Sequence, residues 1–280
     1  MNLQHLWRWM VTALTATSTT PDLDAELLLS KYLQLSSAQL YSYAATIELP
    51  LSQQQTIEAA VKRRLTGEPM AYLLGEQEFW SLSLEVNNAV LIPRPETELL
   101  VELLISYYDG NEKKVADLGT GSGAVALALA SERPAWKIIA TDYSKQALQV
   151  AQRNLRRYQY LNIELRQGSW CDAFNEGELF HAIVSNPPYI AMNDPHLQSE
   201  LGLCFEPKSA LISGENGLSD LIAIIYQASY HLYPGGHLIV EHGYNQASSV
   251  RQLFVNYGYH SVIEYKDLAG QQRVTSGKWH

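Results

Sequence analysis

Cysteine is scarce in this chain: Cys171 and Cys204 are the only two among 280 residues. Two thiols cannot build a disulfide framework or a cysteine-ligated zinc site, so both read as small buried or half-buried side chains. Long apolar runs are missing too, and nothing approaches the roughly 20 residues needed to cross a bilayer. A secretory layout is absent at the N-terminus, where Arg8 stands between Trp7 and Trp9 in place of an apolar region. Leu3, Leu6, Met10 and Leu14 follow helical spacing instead, and the chain reads as soluble and cytoplasmic. Basic charge is also in short supply, with 20 Lys+Arg against 29 Asp+Glu and a formal charge of −9. That argues against affinity built on neutralising a phosphate backbone. The deficit is uneven: residues 1–75 carry 5 basic and 6 acidic side chains, and the remainder carries 15 and 23. Internal repeats and low-complexity tracts are likewise absent. What remains is 46% hydrophobic and 18% charged, enough for about two domains with a sizeable core.

Residues 1–75 read as a small helical domain. Pro21 opens one helix at a position that needs no backbone donor, and Leu23, Leu27 and Leu28 give it an apolar stripe. Ser36-Ser37 starts a second, and Pro50-Leu51-Ser52 a third that runs to Leu65. The basic run Lys62-Arg63-Arg64 reads as a solvated helix end. The period then changes. Leu82, Leu84 and Val86, followed by Asn87-Asn88 and Val90-Leu91-Ile92, predict a β-hairpin linker over 76–93 with its turn at the asparagines. Pro93-Arg94-Pro95 is a stiff break, after which Glu96-Thr97-Glu98 opens a helix.

From Lys113 onward strands and helices alternate, with strands expected at 114–118, 137–141, 162–167, 181–185, 237–242, 260–266 and 272–276. Helices are expected at 123–131, 145–158, 217–232 and 246–257. This predicts a seven-stranded, mostly parallel sheet covered by helices, a Rossmann-like α/β domain over 94–280. Only Asp267-Leu268-Ala269-Gly270 separates the last two strands, so the final strand enters reversed.

Gly119-Thr120-Gly121-Ser122-Gly123 follows the first strand of that sheet and precedes a helix. Glycines there let the backbone turn sharply and approach a ligand closely. Asp142 ends the next strand, 19 residues beyond Gly123, where an acid can bind both hydroxyls of a ribose. A dinucleotide loop spaces its glycines as GxGxxG to seat a pyrophosphate. This one is GxGxG and is preceded by Asp117, which repels phosphate and suits a cation. S-adenosylmethionine carries a ribose, a sulfonium and an ammonium without phosphate, and a reversed terminal hairpin is what a class I methyltransferase sheet looks like. No metal ligands are indicated.

Asn186-Pro187-Pro188-Tyr189 follows the fourth strand of the sheet, at the edge where open α/β sheets bind ligands. A planar nitrogen, amide or exocyclic amine, is a poor nucleophile because its lone pair is delocalised. The Asn186 side-chain oxygen and the Pro187 carbonyl can each accept one N–H, which aims the lone pair and offsets the developing positive charge. The two prolines restrict the backbone that carries that carbonyl, and Tyr189 offers a flat face for stacking. Asn186 and Pro187 are therefore the catalytic candidates, with Asn186 through Tyr189 binding the substrate.

These residues resemble the glutamine N5-methyltransferases of peptide chain release factors. The resemblance extends through Arg64 to Tyr72, Gly75 to Trp80, Ile92 to Glu98, Gly168-Ser169-Trp170, Glu206-Pro207, Pro234-Gly235-Gly236, Glu241-His242-Gly243 and Lys266-Asp267-Leu268. It implies methylation of the side-chain amide of the glutamine in the Gly-Gly-Gln motif of class I release factors. It also implies that Gly119, Thr120, Gly121, Ser122, Gly123 and Asp142 bind S-adenosylmethionine, with Trp170 at the adenine end and Asn186 beside the methyl donor. The N-terminal helices would dock the protein substrate, with no direct nucleic-acid contact. Arg94 to Glu98 is either a cover over the cofactor or a plain linker. Glu241 and His242 end a strand within reach of the pocket, with no role assigned. Three rival readings stand beside this one: methylation of an adenine or guanine amine, a dinucleotide-dependent oxidoreductase, and a catalytically silent binding module.

Overall fold

A computed structural model describes residues 2–199 and 202–280, which fall into two compact units. The first is Met1–Glu76 together with His196–Phe205, and the second is Gln77–Pro195 together with Glu206–His280.

The first unit contains helices α1 (Leu3–Leu14), α2 (Pro21–Leu33), α3 (Ser37–Tyr43), α4 (Leu51–Leu65) and α5 (Met70–Leu74), with a short helical turn at His196–Ser199. Asn2 caps α1 by accepting the His5 N–H at 2.9 Å, and Leu3, Leu6, Met10 and Leu14 form its buried stripe. Ser36 and Gln39 cap α3 reciprocally. The buried face of α2 differs from the expected one. Ala25, Leu28 and Leu29 point inward and Leu23 is exposed, a rotation that buries Asp24 so that its Oδ2 accepts the Arg64 Nε–H at 2.8 Å. Arg63 pairs with Glu68 in the same way. The basic end of α4 is thus tied into its own unit rather than wholly solvated.

Next in the chain is a two-stranded hairpin, β1 (Glu76–Phe79) and β2 (Leu82–Glu85), which from Gln77 onward belongs to the second unit. Its turn is at Trp80-Ser81, both at positive φ (52° and 58°), and not at Asn87-Asn88; residues 87–92 are turn and loop. A two-residue loop matching the strand twist needs positive φ at both positions. Here the turn is held from outside: Glu98 accepts the Trp80 N–H at 2.8 Å and Glu132 accepts the indole N–H at 2.9 Å.

The main sheet comprises β3 (Lys114–Leu118), β4 (Lys137–Asp142), β5 (Ile163–Gln167), β6 (Phe180–Ser185), β7 (Leu232–Glu241), β8 (His260–Lys266) and β9 (Gln272–Lys278). Their spatial order is β5-β4-β3-β6-β7-β9-β8. Every pairing is parallel except those of β9, which runs antiparallel to β7 and β8. The seven-stranded α/β expectation, with its reversed final strand, is therefore met. β7 starts five residues early, through Pro234-Gly235-Gly236, where its register with β6 shifts; the helix before it is correspondingly shorter, Ser219–Ala228. Helices α6 (Glu98–Tyr107), α7 (Ala124–Glu132), α8 (Lys145–Tyr158) and Ala247–Asn256 complete the layers. α7 is buried all round from Ala124 to Ala130, as a helix without a polar face must be.

The two edges of the sheet are built differently. At the starts of the strands, Tyr108 donates to the His181 carbonyl and meets His237 Nδ1 at 2.6 Å. Glu178 there accepts Lys114 at 2.7 Å and Arg166 at 2.6 Å. At the strand ends lies a cavity of about 360 Å³. Cys171 is buried near that edge, with its thiol pushed up to about 12 by burial. Cys204 is exposed, against the expectation that both thiols are covered. No helix among the described residues is long and apolar enough to cross a membrane, and no cluster of metal-ligating side chains occurs among them.

Candidate active site

β3 is flanked by β4 on one side and β6 on the other, so the chain leaves the sheet in opposite directions from adjacent strand ends and opens a crevice there. Gly119 through Ser122, Asp142, Trp170 and Asn186 all line the cavity in it. Gly119 has φ +70°, and a Cβ on it would lie 3.2 Å from the Trp170 ring. Only glycine accepts both that conformation and an indole against the backbone. Gly123 does not line the cavity; it sits at the start of α7 against Leu127 and Ala151.

The loop is held by its neighbours. Asp142 accepts the Gly121 N–H on Oδ2 at 2.9 Å and the Ser144 N–H on Oδ1 at 2.8 Å. Each oxygen keeps a second lone-pair site for a ligand. Asp117, beneath the loop, accepts the Thr120 hydroxyl at 2.6 Å. Burial pushes the Asp117 carboxyl up to about 6, against the hydrogen bonds it accepts and with the Asp142 charge adding to the rise; burial raises Asp142 as well. Among the described residues, no Lys, Arg or His lines the cavity. A pyrophosphate has no cation to meet here, whereas a bound cation stabilises both carboxylates.

Asn154 of α8 was not singled out by the sequence. It is fully buried, its Oδ1 accepts the Glu85 N–H at 2.7 Å, and its Nδ2 donates to the carbonyls of Glu85 at 3.0 Å and Ser122 at 2.9 Å. One amide therefore joins the end of β2 to the glycine loop.

The tetrad leaves β6 beside that loop, and the Ser185 hydroxyl donates to the Leu118 carbonyl at 2.8 Å across the two strand ends. Asn186 and Pro188 line the cavity; Pro187 and Tyr189 do not. The Asn186 Nδ2 donates to Thr97 Oγ1 at 2.9 Å, and Thr97 donates to Glu241 Oε2 at 2.7 Å. The Tyr189 hydroxyl donates to Glu241 Oε1 at 3.2 Å. The Tyr189 carbonyl accepts Gln246 Nε2 at 3.0 Å and lies so close to Gly217 that a Cβ there would be 2.3 Å from it. The tetrad is consequently braced at both ends. His242 is already satisfied by Gly243 and Thr275, and burial holds its pKa down.

The roof comes from segments the sequence left undecided. Pro93 and Thr97 line the cavity, as do Pro207 and Ala210. Glu206 joins these segments by accepting the Ile92 N–H at 3.0 Å and pairing with Arg94. The stretch Arg94 to Glu98 is therefore part of the site's cover and not a bare linker.

The chain is similar to known proteins over its whole length. Residues 95–217 match the methyltransferase small domain and residues 5–75 the PrmC N-terminal domain. A release factor glutamine methyltransferase of Coxiella burnetii is 50% identical over 262 residues, 93% of each chain. Another from Escherichia coli is 43% identical over 280 residues, 100% of each. Among solved structures, a Thermus thermophilus 16S rRNA N2 G1207 methyltransferase in complex with AdoMet and guanosine has a TM-score of 0.55 at 17% identity. That match covers 73% of this chain and 50% of the other, a likeness of fold. Sheet order, cavity and full-length identity converge on one conclusion: the chain belongs to the release factor glutamine methyltransferase family.

Proposed function

We infer that the chain methylates the side-chain amide nitrogen of the glutamine in the Gly-Gly-Gln motif of class I peptide chain release factors, with S-adenosylmethionine as donor. The observation that carries this reading is the direction of the Asn186 amide. Asn186 lines the cavity and its nitrogen is occupied by Thr97, which leaves Oδ1 as the amide's acceptor for a ligand. An acceptor is what an amide nitrogen carrying two N–H groups requires.

The cavity suits the donor. Asp142 would hold the ribose hydroxyls, Asp117 and the loop Gly119 to Ser122 would face the cationic end, and Trp170 would cover the adenine. When bound, S-adenosylmethionine supplies an electrophilic methyl group. The chain's own part is orientation: Asn186 Oδ1 would accept one amide N–H at the cavity and the Pro187 carbonyl, which lies outside the cavity lining, would accept the other, localising the lone pair and offsetting the charge that develops on nitrogen. Transfer would form the N–C bond as the S–C bond of the donor breaks, leaving a cationic amide nitrogen whose proton is acidic enough to pass to water, so no strong base is needed.

The test is to incubate the protein with labelled S-adenosylmethionine, a class I release factor and a pool of nucleic acid, then locate the label by mass spectrometry. The label is expected on the glutamine of Gly-Gly-Gln. Label on a base instead would overturn the reading.

A further inference from the structure

Asn186 presents an oxygen to the cavity only while its amide keeps one of two rotamers. The two ends of an amide have nearly the same shape, so packing alone does not choose between them. A donor in place of the acceptor would repel the N–H of the target that Asn186 has to accept. What makes the choice is therefore as important to the reaction as Asn186 itself.

The choice is made behind it. The Asn186 nitrogen meets Thr97 Oγ1 at 2.9 Å and Thr97 meets Glu241 Oε2 at 2.7 Å. A hydroxyl can run in either direction, but an ionised carboxylate only accepts. With Glu241 ionised, the Thr97 proton must point to Glu241, its lone pairs must face Asn186, and Asn186 must answer with N–H. Oδ1 then faces the cavity. The other oxygen of Glu241 accepts the Tyr189 hydroxyl, so the same carboxylate fixes both ends of the tetrad. A protonated Glu241 can donate to Thr97 instead. The hydroxyl then turns to donate to Asn186, and the amide flips its nitrogen into the cavity.

We propose that Glu241 is the positioning residue of this methyltransferase, acting through Thr97 on Asn186 and directly on Tyr189, and that its ionised state sets the acceptor orientation required for transfer. The proposal rests on the tetrad being the amide-binding element. Glu241 is 1% exposed at the end of β7, and Thr97 is 5% exposed in the turn before α6. The groups facing Glu241 come from each element around it: Thr97 and Glu96 from that turn, Tyr189 from the loop after β6, and Arg273 from β9. Arg273 is shared with Asp267 at 3.2 Å. His242, the residue after β7, has its pKa held down by burial. Burial raises the Glu241 carboxyl to about 7, with Glu96 adding to the rise and Thr97, Arg273 and Tyr189 opposing it. The direction of the relay is thus sensitive to pH near neutrality.

The experiment measures kcat at saturating S-adenosylmethionine with a purified release factor, for the wild type, Glu241→Gln, Thr97→Val and Thr97→Ser. Saturation removes the contribution of Asp117 and Asp142, which titrate in the cofactor cavity. Thr97→Val is expected to lower kcat about 10- to 100-fold, with a much smaller change of cofactor affinity by calorimetry, because Val keeps the shape that Thr97 presents to the cavity. Thr97→Ser, which keeps the hydroxyl, should restore most of the loss. Glu241→Gln is expected to be slow at all pH values and to lack the acid limb that the wild type shows as pH falls through about 7. A variant carrying both Thr97→Val and Glu241→Gln should be no slower than the slower single, since both act in one chain of contacts. Wild-type kcat in Thr97→Val would overturn the proposal, and so would a loss of kcat matched by an equal loss of cofactor affinity. Failure of the wild type itself to methylate the release factor would instead remove the functional reading beneath it.

Discussion

Asp142 and Gly121 are joined by a 2.9 Å hydrogen bond from the glycine N–H to Oδ2, so the acid expected to hold the ribose also holds the loop beside it. Replacing Asp142 by Asn puts an NH₂ opposite one of two backbone donors, Gly121 or Ser144. Affinity for S-adenosylmethionine should fall roughly 10- to 100-fold, the worth of one or two charge-assisted hydrogen bonds. Calorimetry checks this, and affinity within twofold of the wild type would remove Asp142 from the site.

Asn186→Ala removes the acceptor that faces the cavity and leaves the glycine loop and Asp142 untouched. Turnover should fall by about 100-fold or more, as on losing a transition-state hydrogen bond, with little change in cofactor affinity. Steady-state kinetics beside calorimetry separates the two effects. Wild-type turnover would sink the role of the amide oxygen.

Asn154→Ala leaves the Glu85 N–H and the carbonyls of Glu85 and Ser122 without their partner. Each such buried group costs about 1–3 kcal/mol, and partial solvation near the cavity brings the expected loss to roughly 3 kcal/mol in urea unfolding. Cofactor affinity should fall as well, because Ser122 lines the cavity. A variant as stable as the wild type would mean that water replaces all three contacts.

Glu241→Gln should be more stable than the wild type at high pH. The folded carboxyl is raised to about 7 from an ordinary 4.5, so the native state holds its proton more tightly and stability is lost as pH rises through that window. The ionised carboxylate costs up to about 3 kcal/mol above it, which the amide avoids. The expected gain is about 1–3 kcal/mol at pH 8, vanishing near pH 4.5, by urea unfolding at both. A variant that is less stable at pH 8 would show that Arg273 and the hydrogen bonds more than offset the burial.

Local signals carried most of the fold and half of the site. In the candidate site, Gly119 to Ser122, Asp142, Trp170, Asn186 and Pro188 are legible as cavity lining because each stands at a strand end that the alternating pattern already marks, whereas Gly123, Pro187 and Tyr189 stand at the same ends and fall outside the lining. Thr97, Asn154 and Glu241 are not legible that way. Their hydrogen-bond partners lie 89, 69 and 144 positions away, and an isolated Thr, Asn or Glu carries no sign of them. The hairpin turn fails for a related reason. Asn87-Asn88 suits a tight turn by itself, while Trp80-Ser81 adopts it only with Glu98 and Glu132 in place. The stripe of α2 likewise depends on Arg64, 40 positions from Asp24.

The unlike edges of the sheet separate two kinds of damage. A lesion among Tyr108, His181, His237 and Glu178 touches nothing in the cavity, so it should shorten the lifetime of the protein in a cell while each surviving molecule works at full speed. A lesion at Asn186, Thr97 or Glu241 should leave abundance intact, or even raise it, and stop turnover. Protein level and specific activity, measured together on any inherited variant, would reveal at which edge it lies.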